Sequence, residues 1–181
     1  MAIWVLRYGH RRLRDARAST HVALVARALG AAGIIFQGEK DDGLMERLRK
    51  ITKEWGGKFE VKYTEEWMKD VQEFKTNGGW VAHLTMYGEG LPAAIVEARK
   101  RKGNGLVIVG SQKVPIEAYQ MADFNISVTN QPHSEIAALA LFLDHYFQGK
   151  ELGLEFVGAQ RRITPSKMGK NVVSCDEKGQ V

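Results

Sequence analysis

The apolar segment Leu106-Val107-Ile108-Val109, ended by Gly110, decides the fold that the sequence predicts. An uninterrupted apolar run of this length is typical of a strand that is buried on both faces of a sheet. Other short strands are predicted along the chain at residues 3–7, 33–36, 59–63, 80–85 and 124–128. Segments with helical periodicity of ten or more residues separate most of them. The sequence therefore predicts an α/β fold with an open, mostly parallel sheet and helices on both faces.

The element boundaries follow from turn and capping residues. Ser19 or Thr20 is expected to begin the first helix, because apolar residues follow from Val22 at helical spacing. A polar loop is expected at 86–90, and a long apolar helix from about 133 to 147. After Gly149 the pattern changes, and short strands near 162–163 and 172–173 predict an appended hairpin, with a loose tail at 177–181. We thus expect an α/β domain at 1–149 and a C-terminal hairpin and tail at 150–181.

Composition excludes several classes of protein. The chain has 181 residues, of which 44% are hydrophobic and 26% charged, as in ordinary globular domains. No apolar run reaches the roughly 20 residues of a membrane helix. Cys175 is the single cysteine, so neither an internal disulfide nor a cysteine-based zinc site is expected, and the five histidines lack metal-binding spacing. We expect no metal and no membrane association, and a cytoplasmic location, since no basic leader precedes the first apolar residues.

Positive charge is concentrated in two places. The net charge is +5, and five arginines lie between residues 7 and 17, opposed by Asp15 alone. Further basic residues follow near the C-terminus. Clusters of this kind are typical of phosphate recognition, although a solvated basic surface is an open alternative. The residues predicted to bind RNA are Arg7, Arg11, Arg12, Arg161 and Arg162.

Three polar or glycine-rich segments follow predicted strands, at 83–90, 110–115 and 127–135. Ligands of α/β sheets bind beyond the carboxyl ends of the strands, and glycine allows a close approach of the backbone. The segment after the first strand, Tyr8-Gly9-His10-Arg11, lacks the glycine fingerprint of nicotinamide enzymes, and there is no phosphate-loop lysine motif. A cofactor pocket of another type is therefore expected in the second half of the chain.

The segment 123–128, Asp-Phe-Asn-Ile-Ser-Val, with the polar loop and apolar helix after it, resembles the third motif of the SPOUT methyltransferases. Residues 14–31, 110–115 and 128–135 are similar to an archaeal family of tRNA ribose 2′-O-methyltransferases that modify cytidine 56 of the T-loop. The resemblance implies S-adenosylmethionine as cofactor, tRNA as substrate, a trefoil knot and cofactor pocket within 80–149, and a homodimer. A dimer also agrees with the helix containing residues 136–143, which is apolar on all sides and needs cover. The C-terminal segment of the same chain is the alternative cover.

The resemblance also implies particular site residues. Arg17 is expected to be the catalytic arginine, supported by Arg14, Asp15 and His21. The expected cofactor-binding residues are Leu84, Gly110, Ser111, Gln112, Lys113, Val114, Val128, Thr129, Asn130, Gln131, Pro132, His133, Ser134 and Glu135. Two other functions stay open at this point. One is a catalytically inactive RNA-binding protein on the same scaffold, and the other is a nucleotide-binding regulator without an RNA role.

Overall fold

A computed structural model describes residues 1–175. Within them, six parallel strands form one sheet in the order β3-β2-β1-β5-β4-β6. The strands are β1 (Ile3–His10), β2 (Gly33–Gly38), β3 (Glu60–Thr64), β4 (Trp80–Gly90), β5 (Gly105–Gly110) and β6 (Phe124–Ser127). The helices are α1 (Arg12–Ala28), α2 (Asp42–Trp55), α3 (Trp67–Thr76), α4 (Leu91–Lys100), α5 (Ile116–Met121) and α6 (Glu135–Phe147). The predicted α/β class and parallel sheet are confirmed.

Two apolar clusters lie on opposite faces of the sheet. On one face, helices α1, α2, α4 and α6 contribute buried side chains such as Val22, Leu44 and Phe142. On the other face, α3 and α5 contribute Trp67 and Ala118. The central strand β5, which starts the sequence argument, supplies side chains to both clusters. The prediction of helices on both faces is thereby confirmed.

Helix α1 begins at Arg12, seven residues before the predicted start at Ser19, so that prediction is wrong. The buried side chains in its first two turns are Asp15 and Ser19, which have polar partners. A search for apolar periodicity therefore finds only the second half of the helix. Ser19 lies inside the helix and does not cap it.

Strand β4 continues through the predicted loop at 86–90. It first pairs with β6 as far as Leu84, and after a register shift it pairs again at Glu89 and Gly90. Gly88 allows this second approach, because a Cβ there would lie 2.4 Å from the carbonyl oxygen of Asn125. The trefoil knot implied by the family resemblance stays a prediction.

The C-terminal segment forms the predicted hairpin, with β7 (Arg161–Ile163) antiparallel to β8 (Val172–Ser174). A 3-10 turn at Lys150–Gly153 precedes it. Backbone hydrogen bonds from Gly57 to Val157 and from Gln160 to Glu54 attach this segment to the end of α2. The expected loose tail at 177–181 lies outside the described residues. In the part of the chain that is described, no helix is long and apolar enough to cross a lipid bilayer.

Candidate cofactor site and RNA-facing surface

A cavity of about 430 Å³ opens at the carboxyl ends of β4, β5 and β6. Its walls come from the end of β4, from the loop between β5 and α5, and from the loop between β6 and α6. These are the three segments that the sequence singles out. The volume lies within the roughly 300–1,000 Å³ typical of small-molecule sites. The chain thus has room for a cofactor at the edge where parallel sheets bind ligands.

Nine of the fourteen expected cofactor-binding residues line this cavity. They are Leu84, Gly110, Gln112, Lys113, Val114, Val128, Pro132, His133 and Glu135. The walls are mainly apolar near Val109 and Ile126 and have polar groups at Lys113 and Glu135. This mixture suits a ligand with a flat apolar part and charged or hydrogen-bonding ends.

The other five expected residues lie beside the cavity and do not line it. Ser111 donates a hydrogen bond from Oγ to the carbonyl oxygen of Tyr8, at 3.0 Å. The Asn130 amide donates to the Met86 carbonyl oxygen, at 2.7 Å, and Ser134 caps helix α6. Thr129 and Gln131 are exposed. Three of these five side chains therefore fix the loops, and direct contact of all five with a cofactor stays a prediction.

The structure adds eight wall residues to those expected to bind the cofactor, and four of the eight lie in the segment 83–90 that the sequence singles out. They are His83, Thr85, Met86, Tyr87, Val109, Tyr119, Ile126 and Ala138. Alternation along β4 is a signal that could have found His83 and Thr85, since they lie on the same side of one strand. Tyr119 has no such signal, because helix α5 was not predicted.

His83 is buried in the cavity wall and has a defined tautomer. The Asn125 amide nitrogen donates to the Tyr119 carbonyl oxygen, so the Asn125 oxygen faces His83 Nδ1 at 3.0 Å. Because that oxygen only accepts, His83 has its proton on Nδ1 and leaves Nε2 as an acceptor. Burial lowers the pKa of His83, and the imidazole is therefore neutral at physiological pH.

Arg7, predicted to bind RNA, is fully buried, and that prediction is wrong. Its guanidinium donates to Ser19 Oγ at 3.2 Å, to the Gly110 carbonyl oxygen at 2.8 Å and to Glu135 Oε1 at 3.0 Å. Arg7 belongs to strand β1, and helices cover the end of that strand. A count of charges along the sequence cannot show that such a residue is buried. Burial lowers the pKa of Arg7, but an arginine stays protonated at any physiological pH.

A buried polar network extends from Arg7 away from the cavity. Ser19 Oγ accepts from Arg7 and lies 2.8 Å from His10 Nδ1. On the other side of the ring, His10 Nε2 lies 3.6 Å from an Asp41 carboxylate oxygen. Asp41 also caps α2 by accepting from the Leu44 backbone. Burial lowers the pKa of His10 even though Asp41 raises it.

The expected catalytic residues do not come together at the cavity of their own chain. Arg14, Arg17 and His21 lie on the exposed face of α1, and none of them lines the cavity. Asp15 is buried and pairs with Arg11, at 2.7 Å, instead of supporting Arg17. The hydrogen bond from Arg11 holds the pKa of Asp15 below its usual range. The catalytic roles of Arg14, Arg17 and His21 stay predictions, and the pairing of Asp15 differs from the expected one.

Of the remaining predicted RNA-binding arginines, Arg11 is half-buried and held by Asp15, and the other three are at the surface. Arg12 is exposed at the start of α1. Arg161 is exposed on β7, where it pairs with Glu54 at 2.7 Å and lies 5.9 Å from the Trp55 ring centre. Arg162 follows it on the same hairpin strand and is also exposed. These positions are open to a large partner. Within residues 1–175, no cluster of three or more His, Cys, Asp or Glu side chains is arranged to hold a metal ion.

The free energy of unfolding is expected to fall as the pH drops below about 6.5. Burial lowers the pKa of both His10 and His83, so the folded protein resists protonation while the unfolded chain accepts protons in this range. The stability that the two neutral, buried imidazoles contribute is fully present above about pH 6.5. It is lost below that pH, in a range where Asp15 is still ionised. Urea titrations measure the effect.

In these titrations, His83→Asn should reduce the pH dependence, because asparagine keeps a donor for Asn125 but does not titrate. Exposed His145→Asn should preserve the dependence. Equal stability at about pH 5 and about pH 7 would contradict the burial of the two imidazoles.

Comparisons with known proteins agree on one family. A family model described as tRNA ribose 2′-O-methyltransferase, aTrm56, matches residues 55–173. The chain is 51% identical over 175 residues to a tRNA (cytidine(56)-2′-O)-methyltransferase of Methanocaldococcus jannaschii, covering 96% of this chain and 97% of that one. It is 47% identical over 168 residues to the enzyme of the same name from Methanopyrus kandleri, covering 93% and 94%. Among solved structures, the SpoU methyltransferase AviRb from Streptomyces viridochromogenes, in complex with AdoMet, has a TM-score of 0.54 at 13% identity, covering 82% of this chain and 57% of that one.

Proposed function

Because the chain belongs to the aTrm56 family of tRNA ribose 2′-O-methyltransferases, we propose that it transfers a methyl group from S-adenosylmethionine to the ribose of cytidine 56 in the T-loop of tRNA. The family, the activity and the fold agree, since the relatives match along almost the whole chain. This agreement favours the methyltransferase over a nucleotide-binding regulator. Mapping of the methylated nucleotide in tRNA tests the proposal, and an inactive RNA-binding protein would leave tRNA unmodified.

The observation that carries the proposal is the cavity at the carboxyl ends of β4, β5 and β6. AviRb, which has the same fold, was crystallised with AdoMet. In this chain the cavity combines apolar walls at Leu84 and Val128 with polar groups at Lys113 and Glu135. Gly110 lines the same wall, and the loop packs so closely against it that a Cβ there would lie 2.5 Å from Val114 Cγ2. These residues fit a molecule with an adenine ring at one end and an amino acid at the other.

When bound, S-adenosylmethionine supplies an activated methyl group on a positively charged sulfur. The protein must hold the ribose 2′-oxygen in line with that methyl, and positioning of this kind is a large part of catalysis. As the new bond from oxygen to carbon forms, the bond from carbon to sulfur breaks to leave a neutral thioether, and the 2′-hydroxyl proton is lost. Arginine is a poor general base, so the role of Arg17 is electrostatic: it orients a phosphate and stabilises negative charge that develops on the 2′-oxygen. Arg14, one helical turn earlier, is placed to support it.

The position of Arg17 suggests a site shared between two chains. Arg17 lies outside the cavity of its own chain, and α1 packs beside α6. On α6, Leu141 is 43% exposed and Ala137 is exposed, so the C-terminal segment does not cover this face. Leu13 on α1 is also fully exposed. A two-fold contact through these helices buries that apolar surface and brings the α1 arginines of one chain to the cavity of its partner.

Light scattering is expected to give the mass of a dimer at micromolar concentration. Replacing Leu141 with a charged residue, Leu141→Glu, should weaken the dimer and lower methylation together, because each site then loses the partner's arginines. Val96→Glu serves as a matched control, since Val96 is exposed on α4 to the same extent. A monomer of about 20 kDa with full activity would contradict both the dimer and the shared site.

The RNA-binding surface is proposed to contain Arg11, Arg12, Arg161 and Arg162. The first two lie at the start of α1, and the last two lie on the C-terminal hairpin. Arginine suits this role because its planar group matches phosphate geometry. The nucleotide that is modified has to be exposed, as in the single-stranded elements that proteins recognise in RNA. A tRNA substrate also supports the expected cytoplasmic location.

A further inference from the structure

We propose that Arg7 is a positioning residue of the cofactor site, which fixes two of its three loops and joins them to helix α1. The inference rests on the proposed function, since it assigns a role within the proposed S-adenosylmethionine site. Arg7 itself does not line the cavity. It acts through the Gly110 carbonyl and the Glu135 carboxylate, which belong to residues that do.

The geometry of the guanidinium is the first argument. Its three nitrogens each have a different partner, at distances of 2.8 to 3.2 Å. Gly110 ends β5 and begins one cofactor loop, while Glu135 ends the other loop and begins α6. Ser19, the third partner, lies on α1. One planar group therefore sets the relative positions of a strand end and two helices, which a single-point cation such as lysine cannot do.

The burial of Arg7 is the second argument. A charge that is 0% exposed is costly unless it is paired and hydrogen-bonded. The carboxylate of Glu135 is its ion-pair partner, and that side chain is 36% exposed at the cavity wall. Without Arg7, no side chain among residues 1–175 holds the Glu135 carboxylate in place, and it is free to turn into water. A cofactor donor would then meet a mobile carboxylate instead of a preorganised one.

The third argument comes from the loop beyond Gly110. The bond from Arg7 to the Gly110 carbonyl lies next to the bonds that Ser111 makes to the backbone of Tyr8 and Gly9. Strand β1, which contains Arg7, thus holds the first two residues of this loop, Gly110 through the Arg7 side chain and Ser111 through the backbone of Tyr8 and Gly9. Loss of the Gly110 contact leaves a half-buried carbonyl without its guanidinium donor, and the bonds of Ser111 then hold the start of the loop without Arg7.

The experiment measures the affinity for S-adenosylhomocysteine by calorimetry, together with filter binding of tRNA. Arg7→Met, which removes the charge and all three donors, should raise the cofactor dissociation constant at least tenfold and change tRNA affinity less than about twofold. Arg7→Lys should recover part of the affinity, since it can pair with Glu135 alone. Arg47→Met is the matched control, because Arg47 is exposed on α2, and it should bind as the wild type does.

Two further variants separate positioning from general stability. Ser19→Ala removes one contact of Arg7 and should weaken cofactor binding by a smaller factor than Arg7→Met. Glu135→Gln should weaken binding, and the combined effect of Arg7→Met and Glu135→Gln should be smaller than the sum of the single effects, because both changes break the same ion pair. If Arg7→Met does not fold, Arg7→Lys and Glu135→Gln are compared in the same way.

The outcomes are distinct. Folded Arg7→Met with wild-type cofactor affinity, or additive effects of Arg7→Met and Glu135→Gln, would overturn the inference. Loss of tRNA affinity with unchanged cofactor affinity would also overturn the inference. A wild-type protein that binds no S-adenosylhomocysteine would instead contradict the proposed function.

Discussion

Gly110→Val should abolish binding of S-adenosylmethionine. A Cβ at position 110 would lie 2.5 Å from Val114 Cγ2 and 2.9 Å from the Gln112 carbonyl oxygen, both of which are closer than real Cβ contacts. The loop from Ser111 to Val114 would have to move, and it forms one wall of the cavity. Calorimetry measures the loss.

Gly153→Val is the matched control for this substitution. Nothing lies within 4 Å of a Cβ at Gly153, which ends the 3-10 turn far from the cavity in the sequence. Both variants are compared by thermal unfolding, so that a failure to fold is separated from a filled site. Folded Gly110→Val with unchanged cofactor affinity would contradict the assignment of the cavity.

Arg17→Ala should lower turnover by about 100-fold while cofactor affinity stays unchanged. A positioned charge at a reacting oxygen is worth a factor on the order of 10²–10³. Arg17 is exposed, so its removal should leave the stability of the folded chain within about 0.5 kcal/mol of the wild type. Single-turnover methylation of tRNA measures the effect. A loss below about tenfold, or roughly 1.4 kcal/mol of barrier, would reduce Arg17 to a phosphate contact and favour Arg14.

A mixture of two inactive variants provides the control for the shared site. In a mixed dimer of Arg17→Ala and Gly110→Val chains, the first chain has an intact cavity and the second supplies the arginine. Co-expression should therefore restore about a quarter of wild-type activity if chains pair at random. No recovery from purified mixed dimers would place Arg17 in the cavity of its own chain or outside the site.

The sheet could be predicted from the sequence because its strands are short apolar runs. Turn residues such as glycine mark the ends of these runs, and helical segments separate most of them. The three cofactor loops were found for a related reason, since ligand sites follow the ends of parallel strands. The hairpin was also predictable, as the alternation after Gly149 differs from the helical pattern before it. These features depend on local sequence and on rules that apply to every α/β sheet.

The start of α1 could not be predicted because its buried residues there, Asp15 and Ser19, are polar. The contacts of Arg7 could not be predicted because two of its partners are distant in sequence. Arg7 is 103 residues from Gly110 and 128 from Glu135. In the sequence it belongs to a basic cluster, and only the fold separates it from exposed Arg12. The extension of β4 was missed for the same reason, because its second pairing with β6 needs a register shift that Gly88 allows.

The most direct test of the central claim is mass-spectrometric mapping of unmodified tRNA after incubation with the protein and S-adenosylmethionine. The account predicts one added methyl group, on the ribose of cytidine 56, and none on that nucleotide when Gly110→Val replaces the wild type. A tRNA carrying a 2′-deoxy nucleotide at position 56 should accept no methyl group. Absence of methylation, methylation of a base, or methylation of another ribose would contradict the account.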